Sequence, residues 1–362
     1  MNFHAIKFSK EEKADFINTL RGRVNQYFKT HNISKYANSK MIFKTIFNLS
    51  LYFIPYILIL SGLFTSNWVI FILWILMGFG MAGIGMCVMH DANHSAYSKN
   101  SFINKLVGNL IILIGGSAIN WKIQHNRLHH GYTNIDGIDE DIFTGNIMRF
   151  SPHQKRFKIH RLQHYYAWFF YGLMTLYWST GKDFKQLLRY KKQGLIDERK
   201  KSFAQLLIEL ITSKLFYQFY VLLIPIIILP TPWWIILLFY LSMHFVAGLS
   251  LGIIFQTAHV MPDSEYPLPD KAGNMGNTWG IHQMLTTSNY APTSRFFSWF
   301  IGGLNYQIEH HLFPSVCHIH YRNISPIVQQ TAREYGVPYH IQSNFLLALW
   351  NHAKLLKLLG KK

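Results

Sequence analysis

The sequence predicts an all-α integral membrane fold, with four transmembrane helices arranged as two hairpins beneath a cytosolic helical cap. Three observations predict it. Of 362 residues, 50% are hydrophobic and 14% charged, against about 25% charged in an ordinary soluble domain. No Asp, Glu, Lys or Arg occurs from Thr45 to His90 or from Leu215 to Pro262. A bilayer takes about 20 apolar residues per helical crossing, so each stretch holds two. The formal net charge of +18 is confined to the segments outside them.

Residues 1–44 read as a cytosolic N-terminal arm. They carry no apolar core before a small-residue cleavage site, as a secretory signal would. Ser9 and Glu12 fit a capping box. Phe16, Leu20, Val24 and Tyr27 follow at helical spacing among basic residues, which suggests an amphipathic helix on the membrane surface.

The crossings are expected at about 45–64, 68–89, 215–231 and 233–257. Thr65-Ser66-Asn67 and Leu229-Pro230-Thr231-Pro232 form the hairpin turns. Neither turn is charged, whereas Lys and Arg crowd the other segments, so the termini and the cap (90–214 and 258–340) face the cytoplasm. The membrane domain spans 45–340, and 341–362 reads as a basic C-terminal tail. Two weaker apolar stretches, Leu106–Ile119 and Tyr165–Trp178, are read as interfacial or re-entrant. If the first crossed alone, the histidines on either side of it would be parted by the lipid.

A strongly basic balance can signal nucleic acid. In a membrane protein the anionic inner leaflet accounts for it, so no nucleic-acid partner is expected. The same face would attract a phosphate-bearing acyl carrier or an acidic electron-transfer protein. Cys87 and Cys317, two cysteines in all, make neither a disulfide framework nor a thiolate metal site and read as packing residues.

Nineteen histidines are many for such a chain, and several fall in tight groups. His90-Asp91-Ala92-Asn93-His94 follows the second crossing, and His125-Asn126-Arg127-Leu128-His129-His130 lies in the cap. Residues four apart share a helix face, so each group converges two imidazoles. Gln307-Ile308-Glu309-His310-His311 is a third group, and His259 closes the last crossing. A lone histidine is usually a hydrogen-bonded structural residue. Three groups with ligand spacing on one membrane face point instead to metal.

Imidazole suits Zn, Cu, Fe or Ni. Eight histidines exceed one tetrahedral zinc and suffice for two metals with open positions, so the cap is expected to carry a dimetal site. Carboxylates should orient the rings and balance the charge; Asp91, Asp136, Asp139, Glu140, Asp141 and Glu309 are the candidates. His4, His31, His153, His160, His164, His340 and His352 lack ligand spacing. His244 is buried in a crossing without a partner at helical spacing, and His282, His318 and His320 read as supporting residues.

These boxes, in this order around two apolar hairpins, resemble the membrane fatty acid desaturases over about residues 40–340. The likeness is strongest to the front-end acyl desaturases (linoleoyl-CoA or Delta6-type). Those place glutamine first in the third box, as Gln307-Ile308-Glu309-His310-His311-Leu312-Phe313-Pro314 does. Asn120-Trp121-Lys122-Ile123-Gln124-His125 and Cys317-His318-Ile319-His320-Tyr321 are similar to the family too.

The resemblance implies two iron ions held by His90, His94, His125, His129, His130, His259, His310 and His311, with Gln307 as a weak or water-mediated ninth contact. The chain lacks the His-Pro-Gly-Gly haem motif of fused cytochrome b5 domains, so external electrons should come from a separate ferredoxin or cytochrome b5. The implied reaction uses O2 to desaturate a long-chain fatty acyl group on CoA, lipid or a carrier protein.

No side-chain acid or base deprotonates an unactivated methylene, so a metal-oxygen oxidant is required. Geometry alone selects the bond, which asks for a narrow apolar tunnel; Trp121, Trp279, Gln283, Thr287 and Asn289 are candidates to line it. Sphingolipid desaturases share the glutamine-type box, and hydroxylases or ketolases share the scaffold. A metal transporter would place its histidines deep in the spans, where only His244 lies.

Overall fold

A computed structural model describes residues 6–10, 14–197 and 199–361 of the chain. Four helices are long and apolar enough to cross a membrane: Ser39–Leu60, Asn67–Asn93, Phe203–Ile228 and Trp233–His259. The first begins before Thr45 because Asn38 caps it, its side chain accepting from Lys40 N–H. The third begins at Phe203 rather than near 215. Ser202 and Gln205 form a capping box there, and the helix runs through Glu209 and Lys214 into the apolar run. Lys214 is tolerated because it is buried against Asp183, 2.5 Å away. The same helix stops at Ile228, ahead of the proline-rich turn.

The second crossing packs against both the first and the fourth. Small residues let these backbones approach, as is usual between helices in lipid. A Cβ on Gly80 would stand 2.6 Å from Tyr52 N, and one on Gly78 2.7 Å from Met243 O.

Between the two pairs, Ser101–Ile114 and Ala118–His129 form a broken helix bent by 109°. The break falls at Gly115, whose φ of +80° is in the left-handed region, and Gly116, where a Cβ would meet Trp178 at 2.6 Å. The aromatic stretch Tyr165–Trp178, read from the sequence as interfacial or re-entrant, packs along the fourth crossing. A Cβ on Gly248 would meet Gly172 O at 2.5 Å, and Thr175 donates to His244 O at 2.7 Å. His244 is a structural residue, hydrogen-bonded to Tyr217 and Thr175.

Both ends of the chain depart from expectation. The Ala14–Thr30 helix does not turn its apolar face to lipid. Phe16, Leu20 and Val24 are buried with Ile324, Val328 and Ala332 of the Tyr321–Glu334 helix. An amphipathic pattern says that a face is covered, not by what. The proposed Ser9–Glu12 capping box lies partly outside the described residues, since Glu12 is among those not described. The supposed C-terminal tail is a helix, Phe345–Lys361, with Leu355, Leu356 and Leu359 buried. His352 Nδ1 donates to Val260 O at 2.8 Å, and Nε2 of the neutral ring accepts from Tyr171 OH at 2.8 Å.

Two short parallel strand pairs tie distant segments together: Lys7–Phe8 with Asn274–Met275, and Ser288–Tyr290 with His340–Gln342. Both cysteines are free and buried.

Candidate metal centre

Four elements deliver the histidines. The second crossing widens into a π-helical turn, Ile84–Met89, just before His90. The fourth crossing ends on His259, and the short Gln307–Leu312 helix brings His310 and His311. The second arm of the broken helix is π-helical from Lys122 to His129. An α-helix would turn His130 away from His125. The i→i+5 ladder of a π-helix brings the residue five on back to the same side, and His130 N–H donates to His125 O at 2.9 Å. His125, His129 and His130 thus share one face. The sequence pattern alone, read as α-helix, leaves His130 unexplained.

All eight rings gather in one place. Ring centroids are 4.6 Å apart for His90 and His310, 4.6 Å for His129 and His259, and 4.2 Å for His130 and His311. Seven of these residues are buried, and His94, half-buried, has its Nε2 shielded from solvent. Among the described residues, candidate ligand atoms within 4.8 Å of one another form three all-histidine groups: His90, His94, His125 and His310; His129, His259 and His311; and His130 with His310 and His311.

The nitrogens face inward without enough hydrogens to pair them. His90 Nε2 and His125 Nε2 are 3.1 Å apart, and His130 Nε2 and His310 Nε2 2.9 Å. The Nε2 atoms of His94, His259 and His311 are buried with no hydrogen-bond partner among the described residues. Buried polar atoms are rarely left so. A set of converging lone pairs at one point is what a cation satisfies, so these residues fit a metal.

The outward nitrogens are held by the chain. Both Asp139 carboxylate oxygens lie 3.1 Å from His129 Nδ1. Asp141 Oδ2 lies 3.6 Å from His125 Nδ1 and 3.5 Å from His129 Nδ1. Gln283 Oε1 accepts from His311 Nδ1 at 2.7 Å, and Tyr321 OH is 3.1 Å from His310 Nδ1. Thr286 O is 3.2 Å from His259 Nδ1.

Burial, reinforced by the neighbouring imidazoles, holds His94, His125, His130, His310 and His311 well below the usual histidine range. They are neutral at pH 7, as ligands must be. At His129 burial opposes the charge, but Asp139 and Asp141 outweigh it and push the ring up to about 9, so binding a metal there would release that proton.

Not every carboxylate expected to support the site reaches it. Asp91 Oδ1 is 3.9 Å from His90 Nδ1, but its closer partner is His318 Nδ1 at 2.9 Å, with Lys44 Nζ 2.8 Å beyond on His318 Nε2. Asp136 is half-exposed and makes no histidine contact among the described residues. Glu140 bonds Tyr190, Gln186 and Arg189. Glu309 is buried but turns away from the rings, held by Asn289 and Tyr339; chain adjacency to His310 does not aim its side chain.

Four of the tunnel candidates contact the histidine-bearing segments. Gln283 orients His311 and also donates to His130 O at 3.2 Å, and Trp279 Nε1 donates to His130 O at 3.0 Å. Asn289 braces Glu309 and accepts from Ile308 N–H at 2.9 Å. Trp121 packs against the His125 ring, centroids 4.5 Å apart and planes tilted by 34°. Buried Thr287 and Gln307 each leave a polar side-chain atom without a partner among the described residues.

Tyr321, Gln124 and Lys44 support the site without having been singled out for that role, whereas His318, read from the sequence as a supporting residue, bonds Asp91. The Cys317–Tyr321 and Asn120–His125 segments carried a hint, through their similarity to the family.

The sequence profile of the family described as "Fatty acid desaturase" matches residues 66–343. The sn-1 linoleoyl-lipid 6-desaturase of Arthrospira platensis is 35% identical over 345 residues, covering 94% of this chain and 92% of the relative. Its counterpart in Synechocystis sp. is 33% identical over 98% of both. The acyl-lipid (8-3)-desaturase of Physcomitrium patens is 34% identical over 98% of this chain and 74% of its own. With a profile match across most of its length and relatives of this similarity end to end, the chain belongs to the fatty acid desaturase family.

Proposed function

We propose that this chain is an O2-dependent front-end fatty acyl desaturase, which places a cis double bond between an existing one and the carboxyl end of a long acyl chain. The convergence of eight histidines from four elements at one end of the apolar helices carries this reading. Relatives named as 6-desaturases and (8-3)-desaturases support the regiochemical class. The four crossings form two hairpins with uncharged turns away from the cytoplasm, and the termini, the cap and the metal site lie on the cytoplasmic side.

Two iron ions fit the donor set, held by His90, His94, His125, His129, His130, His259, His310 and His311, with Gln307 close enough in sequence and burial to assist. When bound, the iron pair supplies the oxidising power that unactivated C–H bonds demand. Everything else is done by the protein. Asp139, Asp141, Gln283, Tyr321 and the Thr286 carbonyl face the Nδ1 atoms of His129, His125, His311, His310 and His259 and leave their Nε2 atoms inward. Burial keeps bulk water from the reacting methylenes. Trp121, packed against His90, His94 and His125, gives an acyl chain an apolar wall. Overall, the acyl group loses two hydrogens, O2 takes these with two external electrons and two protons, and two waters leave.

Expression in a host without polyunsaturated acids, with linoleate supplied, tests the reading by chromatography of the fatty esters. A product with a new double bond on the carboxyl side of the existing pair is expected. A hydroxylated product, or an unchanged profile from iron-replete protein with a working electron donor, would overturn it.

A further inference from the structure

The balance just given, on which this inference rests, requires two electrons from outside per turnover. Among the described residues a chain of polar side chains leads from the outer nitrogens of His125 and His129 to an exposed basic helix, in ion-pair contact at Asp141 and hydrogen-bonded from there outward. Asp141, against His125 and His129, accepts from Gln124 Nε2 at 2.5 Å. Gln124 Oε1 accepts from Gln186 Nε2 at 2.7 Å and Lys182 Nζ at 2.9 Å. Gln186 also donates to Glu140 at 2.8 Å, and Glu140 pairs with Arg189 at 2.6 Å, whose side chain is 37% exposed.

Gln186, Lys182 and Arg189 lie on or beside the Asp183–Lys192 helix. Its inner face is buried Asp183, Gln186, Leu187 and Tyr190. Its outer stripe, at three- and four-residue spacing, is Lys185, Leu188, Arg189 and Lys192, with Leu188 53% exposed. The only acid of the helix, Asp183, is buried and neutralised by Lys214. A positive stripe with one apolar residue in it matches a small acidic protein surface better than a flat lipid surface, and the path beneath it has no lipid-binding purpose.

We propose that this stripe docks an acidic one-electron carrier protein, and that the Arg189–Glu140–Gln186–Gln124–Asp141 chain couples the carrier to His125 and His129. Two encounters serve each turnover, and each oxidises one carrier by one electron. The two electrons join the two from the acyl C–H bonds in reducing O2 to water, with two protons drawn from solvent.

The test uses the full chain, iron-loaded, in nanodiscs. The carrier is whichever of two acidic proteins, a [2Fe–2S] ferredoxin or soluble cytochrome b5, supports turnover. K185E/K192E is expected to raise the carrier Kd by fluorescence anisotropy, and its KM, about tenfold at low ionic strength. The difference should fade as salt screens the charges, with iron content and dithionite-driven turnover within twofold of wild type. Gln186→Leu should leave the carrier Kd unchanged and slow reduction at saturating carrier several-fold. An unchanged Kd and KM in K185E/K192E, or equal losses with carrier and dithionite, overturns the docking assignment, the latter pointing to a structural or lipid role. Turnover with neither carrier, in protein that desaturates with dithionite, also overturns it. Iron-replete protein that forms no alkene with any reductant sinks the desaturase reading itself.

Discussion

Asp139 shows how a single side chain acts on the centre without touching metal. Its two oxygens hold His129 Nδ1, and they also accept from the backbone N–H of Asn134 and Asp141. The carboxylate is therefore fixed by the loop and fixes the ring in turn. Replacing such an orienting group typically weakens metal affinity 10–100-fold. Asp139→Ala is expected to lose iron within that range in a chelator competition; wild-type retention would refute the role. His90 with His94 and His125 with His129 were legible because ligand spacing is local, four residues on one helix, whereas His130 needed the π-helical turn and the lone His259 was legible only through the family resemblance. Their partners were not. Gln283 meets His311 across 28 residues of chain and Tyr321 meets His310 through a separate helix, and no local pattern encodes such meetings. Glu309 is the converse, a neighbour in sequence whose carboxylate goes elsewhere.

The helices were legible as runs and less so at their ends. Charge-free windows located all four crossings, but the third starts a dozen residues early because Lys214 is neutralised inside the protein. Its ammonium bonds Gly115 O, Trp178 O and Asp183. It thereby ties the bend of the broken helix to the start of the Asp183–Lys192 helix. Removing one member of a buried pair costs about 3–5 kcal/mol, since the other charge is left uncompensated. Lys214→Leu should lower the thermal midpoint in detergent accordingly, and adding Asp183→Leu should restore much of it. A single variant as stable as wild type would contradict the buried pairing. The terminal helices were misread for a related reason: hydrophobic periodicity marks a covered face, and only the fold says that protein rather than lipid covers it.

At the scale of the whole molecule, buried neutral histidines beyond the ligand set link folding to pH. Burial lowers His282, His318 and His352 to about 4 each, against about 6.5 in an unfolded chain. Below 6.5 the unfolded state binds more protons at these positions, so their contribution is present above that pH and is lost as pH falls toward 4. The thermal midpoint should fall steadily between pH 6.5 and 4.5, and His352→Gln, which keeps a polar side chain without the titration, should flatten part of the slope. A midpoint independent of pH across that window would show that these sites do not stay neutral in the fold.

Two of the crossing helices, Asn67–Asn93 and Trp233–His259, are 27 residues long, roughly 40 Å at 1.5 Å per residue. The hydrocarbon slab is about 30 Å thick. The surplus turns are rigid extensions of the anchors, and they bear His90 and His259. The elevation of the pocket over the lipid is thus written into the protein as a pair of fixed masts. A thicker or thinner bilayer slides along those masts, altering how far an acyl tail must climb from its leaflet before it meets the histidines.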